Sequence, residues 1–257
     1  DHDGEDWTLT DGESLAGRHE NIGVFTIPAG VTVRVEPFDG AAYGALEVLA
    51  AEIHILGTLD GDGAGYPGGT TSGGGLGMGP GAGDNGGWTG CGGGYGGLGG
   101  RSYDQTECIG QTYGLAGLES DPWSSDDIAM GSGGGSGHSG WEAAGGAGGA
   151  KVFLQAPAIA ISGEVRANGG DHTMYSGGGS GGGVLLLGGS VVVSGTLQVN
   201  GGNGQNDSGT FYSGGGGGGR IKVYGASLDL GSATVGIAGG AGVAPGGEAG
   251  TFSSGIY

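Results

Sequence analysis

The chain has 257 residues, 75 of them glycine, about four times the usual share, and a formal charge of −19 from seven basic and 26 acidic residues. Glycine at this density without a strict three-residue period excludes collagen. The acidic field repels nucleic acid, and no apolar run approaches the roughly 20 residues that span a bilayer as a helix. Short β-branched alternations such as Ile53-His54-Ile55, Ile159-Ala160-Ile161 and Val191-Val192-Val193 separate the chain from a disordered polar tract, which lacks them.

In chain order, residues 1–40 read as an N-terminal strand and cap segment. They have an amphipathic start at Trp7 and Leu9, and weak strand patterns in Val24–Ile27 and Val31–Val35. The chain begins at Asp1 with no basic-then-apolar leader, as expected of an exported, processed product. Residues 41–65 hold the first clear rung, Leu46-Glu47-Val48 and Ile53-His54-Ile55 followed by Thr58-Leu59-Asp60-Gly61-Asp62-Gly63.

Residues 66–144 form a long insertion with little regular pattern, and such a stretch in a compact domain tends to be functional or disordered. Here lie Trp88, Trp123, Trp141, Tyr66, Tyr95, Tyr103 and Tyr113, several acids, and both cysteines. Cys91 and Cys108 bracket a glycine-rich loop and fit a disulfide in an oxidising compartment better than a four-ligand zinc site.

Residues 145–257 carry the repeats. Gly145 to Gly170 aligns without gaps on Gly177 to Gly202 at an offset of about 32 residues. Val152 falls on Val184, Leu154 on Leu186, Ile159 on Val191, Ile161 on Val193, Gly163 on Gly195, Val165 on Leu197 and Asn168 on Asn200. A further copy runs from Arg220-Ile221-Lys222-Val223 to Leu230, and Gly246 to Phe252 opens another. Each copy is expected to hold three short alternating strands that wrap once around a thin apolar core, one rung of a parallel β-helix. Roughly six rungs at about 4.8 Å give a spine on the order of 30 Å. The glycine runs 176–183 and 213–219 keep phase with the strands, as expected of extended segments laid side by side.

The Gly-Gly-x-Gly-Gly-x-Val-x-Leu to Ile-x-Ile-x-Gly to Asn-Gly-Gly pattern resembles the glycine-rich β-helical repeats of secreted bacterial surface proteins and adhesins. The resemblance covers residues 41–65 and 145–252. It implies an all-β, right-handed parallel β-helix (β-solenoid) in an extracellular setting, and carries no functional residue across.

Chemistry-bearing motifs are few. Gly178-Gly179-Ser180-Gly181-Gly182 matches a nucleophile elbow only by composition, because a true elbow follows a strand and opens a helix. His2, His19, His54, His138 and His172 show no metal-ligand spacing. Asp126 with Asp127, or Asp60 with Asp62, would supply the acids of a polysaccharide-cleaving enzyme, but basic groups to accompany them are scarce, and no catalytic residue is assigned. Asp60, Asp62, Asn168, Asp171, Asn200, Asn203 and Asp207 recur at one rung corner. They read either as calcium ligands or as turn residues that tolerate left-handed backbone angles and bond to their own backbone.

The functional expectation is a secreted, non-catalytic subunit of an extracellular fibre or surface layer. It would self-associate head to tail through open strand edges near Phe252, Ile256 and Tyr257. The alternative is a module binding polysaccharide or a cell-surface glycan through Trp88, Tyr95, Tyr103, Tyr113, Trp123 and Trp141, whose rings would stack on sugars.

Overall fold

A computed structural model describes residues 1–41, 43–70, 75–103, 108–116, 127–137, 143–172, 174–204, 212–242 and 246–256. These residues form strands and glycine-rich segments with no α-helix. The strands are β1 (Trp7–Thr8), β2 (Ser14–Leu15), β3 (Gly17–Ile27), β4 (Thr32–Val35), β5 (Ala45–Ile55), β6 (Thr58–Asp60) and β7 (Lys151–Ile161). They continue with β8 (Glu164–Arg166), β9 (Gly183–Val193), β10 (Thr196–Gln198), β11 (Arg220–Asp229), β12 (Thr234–Gly236) and β13 (Thr251–Ile256). Odd-numbered strands build a seven-stranded parallel sheet and even-numbered strands a six-stranded one, each ordered as in the chain. The chain thus visits the long sheet and the short sheet alternately, as a solenoid does, and neither sheet closes on itself.

The aligned positions of the repeat are partners in the sheets. Val152 pairs with Val184, Leu154 with Leu186, Ile159 with Val191, Ile161 with Val193, and Val165 with Leu197. The upstream rung joins in register as Leu46 with Val152 and Ile53 with Ile159. Alternation sends these side chains into one core between the sheets, where Val33, Leu59, Val165 and Leu197 meet them from the short sheet.

One expectation needs correction. The first two expected strands of each rung are a single strand of 11 residues in β5, β7 and β9, so a rung has two strands rather than three. What reads as a corner is a break in the ladder around Ala156-Pro157, Gly188-Gly189 and Gly225-Ala226, where Ala156 pairs with Gly188 and pairing resumes at Ala158. Pro157 has no N–H to donate, and the small residues stacked beside it leave room for the strand to bend.

From β8, β10 and β12 the chain leaves the core along one glycine leg and returns along another to the next long strand. Within 167–183 the returning leg donates from Gly179 to Gly170 and from Gly182 to Ala167. The next hairpin repeats this as Gly216 to Gly202 and Gly219 to Val199, and the last as Gly247 to Gly240 and Gly250 to Ile237. Contacts every third residue are the mark of an extended left-handed helix with three residues per turn.

That periodicity packs the legs in several directions at once. Gly177, Gly178 and Gly179 donate to Gly135, Gly214 and Gly170, and the next turn, Ser180, Gly181 and Gly182, donates the same way to Ser132, Gly217 and Ala167. Their carbonyls accept from Gly146, Gly93, Gly202 and Gly149. The expected side-by-side glycine segments are therefore present as a hydrogen-bonded bundle. The insertion joins it: Gly217 donates to Gly93, Gly131 to Gly149 and Gly134 to Gly146. At its closest glycine contacts space forbids side chains, since a Cβ on Gly216 would stand 1.9 Å from the Gly179 carbonyl oxygen.

Candidate functional site

The bundle has a base, where the legs run into the long sheet, and a far end, where outgoing and returning legs connect. At the base, Tyr95 is buried and its hydroxyl accepts the Ala129 N–H at 2.8 Å. The Tyr113 hydroxyl donates to the Met130 carbonyl, and the two rings lie 4.7 Å apart. Arg220 at the start of β11 stands 5.4 Å from the Tyr95 ring centre and donates to the carbonyls of Tyr113 at 2.8 Å and Gly114 at 3.1 Å. Burial pushes the Tyr95 phenol up to about 12, pushes Tyr113 higher still, and lowers the Arg220 guanidinium. These two tyrosines fasten the insertion to the solenoid and are not available to stack on a ligand.

The far end is different. Asn85 and Gly90 form an antiparallel bridge, with Gly86 donating to Thr89, and this tight hairpin presents Trp88 at 55% exposure. Gly90 donates to Tyr175, and Gly214 donates to Gly90, which ties the hairpin to neighbouring legs. Tyr103 is 47% exposed beside Tyr212, their rings edge to face at 5.3 Å, and its N–H bonds to the Tyr212 carbonyl and the Thr89 hydroxyl. Leu76 and Met174 are also exposed. Of the six aromatic candidates, the structure thus buries Tyr95, half-buries Tyr113 and exposes Trp88 and Tyr103, while Trp123 and Trp141 lie outside the described residues.

Cys91 and Cys108 form the expected disulfide, with Cα atoms 6.0 Å apart. The corner residues form a ladder from rung to rung. Asp62 Oδ1 accepts the Asn168 N–H, Asn168 Oδ1 the Asn200 N–H and Asn200 Oδ1 the Ala238 N–H, at 2.7, 2.7 and 2.9 Å. Beside it, Asp171 accepts from Asn203 at 2.7 Å and Asn203 from Ala241 at 2.9 Å. Asp60 is held by Arg166 through two bonds of 3.2 and 3.0 Å. The turn reading is met only in part: the ladder side chains do bond to backbone, but to that of the next rung rather than their own, and none of the described corner residues has a left-handed φ. The described residues gather no group of three His, Cys, Asp or Glu able to hold a metal, and Asp207 lies outside them.

Ser180 is buried in a glycine leg, and its hydroxyl accepts the Ser132 N–H at 2.8 Å, a structural contact. Phe252 and Ile256 on β13 are exposed, Ile256 at 75%, and among the described residues β13 lies at one edge of the long sheet and pairs with β11 alone. Tyr257 lies outside the described residues.

Sequence reasoning missed the outer face of the long sheet. Phe153, Leu185, Leu187 and Tyr224 point away from the solenoid core and form a second buried cluster with Ile128. Within it Lys222 and Asp127 make an ion pair of 2.7 Å. The signal was the unbroken run Val184-Leu185-Leu186-Leu187, which alternation leaves unexplained and which marks a strand covered on both faces. The chain matches no protein-family model, and no curated protein or solved structure is detectably similar to it.

Proposed function

We propose that the protein is an extracellular, non-catalytic display module, a rigid solenoid and glycine bundle that presents Trp88 and Tyr103 for binding. The observation that carries this reading is their exposure on backbone already fixed by interleg hydrogen bonds. Ordering costs are met on folding rather than on binding, and such preorganised aromatic faces suit the rings of a surface glycan. The disulfide fits an oxidising extracellular setting. Right-handed winding is part of the proposal, because parallel crossovers strongly prefer it.

The test is a polysaccharide panel titrated against the wild-type chain and Trp88→Ala. Loss of about fivefold or more in affinity, with an unchanged Tm, supports the reading, since a stacked aromatic face is worth about 1 kcal/mol. Binding that is equal in both proteins, or absent from both, overturns it.

A second reading rests on the one-sided pairing of β13. An edge with exposed Phe252 and Ile256 is a template for another strand, and self-association there would make the protein a subunit of a fibre or layer.

A further inference from the structure

Lys222 projects from the outer face of β11, and its Nζ stands 2.7 Å from Asp127 Oδ1, with the two side chains 0% and 1% exposed. Apolar side chains flank the pair, and the Arg220 guanidinium and the Tyr95 and Tyr224 phenols lie near enough to Asp127 to interact with it electrostatically. Leu185 is the register partner of Lys222 on β9, and Phe153 is in turn the partner of Leu185 on β7. Tyr224 lies two residues along the same face, and Ile128 follows Asp127 in the covering segment. A primary amine and a carboxyl are thus held in contact in a dry cluster.

Physical chemistry makes this an unusual place for an ion pair. Removing each ion from water costs several kcal/mol, so the pair is held at a cost that a neutral product would relieve. In water, condensation of an amine with a carboxylic acid is opposed because both reactants are stabilised as ions. Burial removes that opposition, and fixed contact replaces a bimolecular encounter.

We infer that Lys222 and Asp127 join in an isopeptide bond that anchors the insertion to the solenoid. A proton passes from the ammonium to the carboxylate, giving NH2 and COOH. The Nζ lone pair then forms a bond to Cγ, and the carboxyl C–OH bond breaks. The departing hydroxyl takes a second proton from Nζ and leaves as water, so that the ammonium and carboxylate become one amide N–H, one carbonyl and one H2O. No oxidant, reductant or external nucleophile enters. The product suits the site better than the ions do, because it buries a neutral amide in their place. It would be a second covalent tie beside Cys91–Cys108, one that reduction leaves intact.

The experiment is intact-mass spectrometry of the full-length, reduced protein, followed by trypsin. The expected result is a mass lower than that of the sequence by one water, and no cleavage after Lys222. A branched peptide should join residues 102–151 to residues 221–257, the tryptic fragments that hold Asp127 and Lys222. Lys222→Arg should restore the full mass. A full mass in the wild-type protein overturns the inference. So does a loss of water without the branched peptide, which would mark a cyclic imide at an Asp-Gly step such as Asp60-Gly61. Because the mass and the branched peptide are read on the wild-type chain, the result stands whether or not the variant folds.

Discussion

At the scale of single residues, the glycines divide into those that packing requires and those that it does not. A Cβ at Gly216 would meet the Gly179 carbonyl oxygen at 1.9 Å, whereas at Gly231 the nearest atom, an Asp229 carboxylate oxygen, is 3.6 Å away. Gly216→Ala should therefore destabilise by about 3 kcal/mol through forced separation of two legs, and Gly231→Ala should stay within about 0.5 kcal/mol, both measured by urea denaturation. The ladder residues follow a similar logic. Asn200→Ala leaves the Ala238 N–H without its acceptor and should cost about 1–2 kcal/mol. Because Asp62, Asn168, Asn200 and Asn203 already accept backbone N–H groups, calcium and a chelator should give the same Tm, and a calcium-dependent rise would restore the metal reading. The sequence made the Asn168 and Asn200 equivalence plain but left two chemistries open, because a hard-oxygen ligand and a turn acceptor are the same side chain. Only the position of the neighbouring N–H separates them.

At the scale of elements, the strands were legible because alternation and repeat spacing report the same thing, which faces are covered. Two features were not. The break at Pro157 looks like a corner in sequence, since a small residue and a proline end most strands, yet stacked equivalents let the strand continue through it. The insertion reads as irregular because a three-residue leg built of glycine has no side-chain pattern to display. The disulfide within it closes a loop across a separation of 17 residues. Its reduction should cost about 3 kcal/mol on loop-closure grounds, read as a lower Tm in reducing agent, with the loss confined to the bundle if hydrogen exchange follows individual legs.

The N-terminal cap makes a pH prediction. His19 lies with His2 against Trp7, ring centres 4.8 and 4.3 Å from it, and Trp7 packs edge-on to the buried Phe25. Burial, with a smaller contribution from His2, holds the His19 imidazole below its ordinary value of 6.5, against the hydrogen bond that its Nε2 donates to the Ala16 carbonyl, which raises it. The unfolded chain then takes up a proton at a higher pH than the folded one. The contribution of His19 is therefore fully present above 6.5 and is lost as pH falls through 6.5 toward the folded value. Amide exchange in residues 4–9 should quicken over that window in the wild-type chain and much less in His19→Gln.

On the scale of the whole molecule, charge and edges pull in opposite directions. A formal charge of −19 repels a second copy at low ionic strength, while a strand paired on one side invites it. The two ends of the long sheet are unequal. β1 contributes only Trp7 and Thr8 to its edge, in a segment that also carries Asp1, Asp3, Glu5 and Asp6, whereas β13 offers six residues with Phe252 and Ile256 exposed. Association of this chain through β13 should therefore favour pairs over long filaments, because β1 offers a further strand only two residues. Salt should promote it by screening repulsion over about 10 Å at 0.1 M. Sedimentation at rising protein concentration in low and moderate salt checks this, with Ile256→Lys as the control that places a charge on the edge. Pairs that form in salt and vanish in the variant would locate self-association at β13. Filaments in both proteins would place it elsewhere, and a monomer under every condition would leave the display of Trp88 and Tyr103 as the working surface of the molecule.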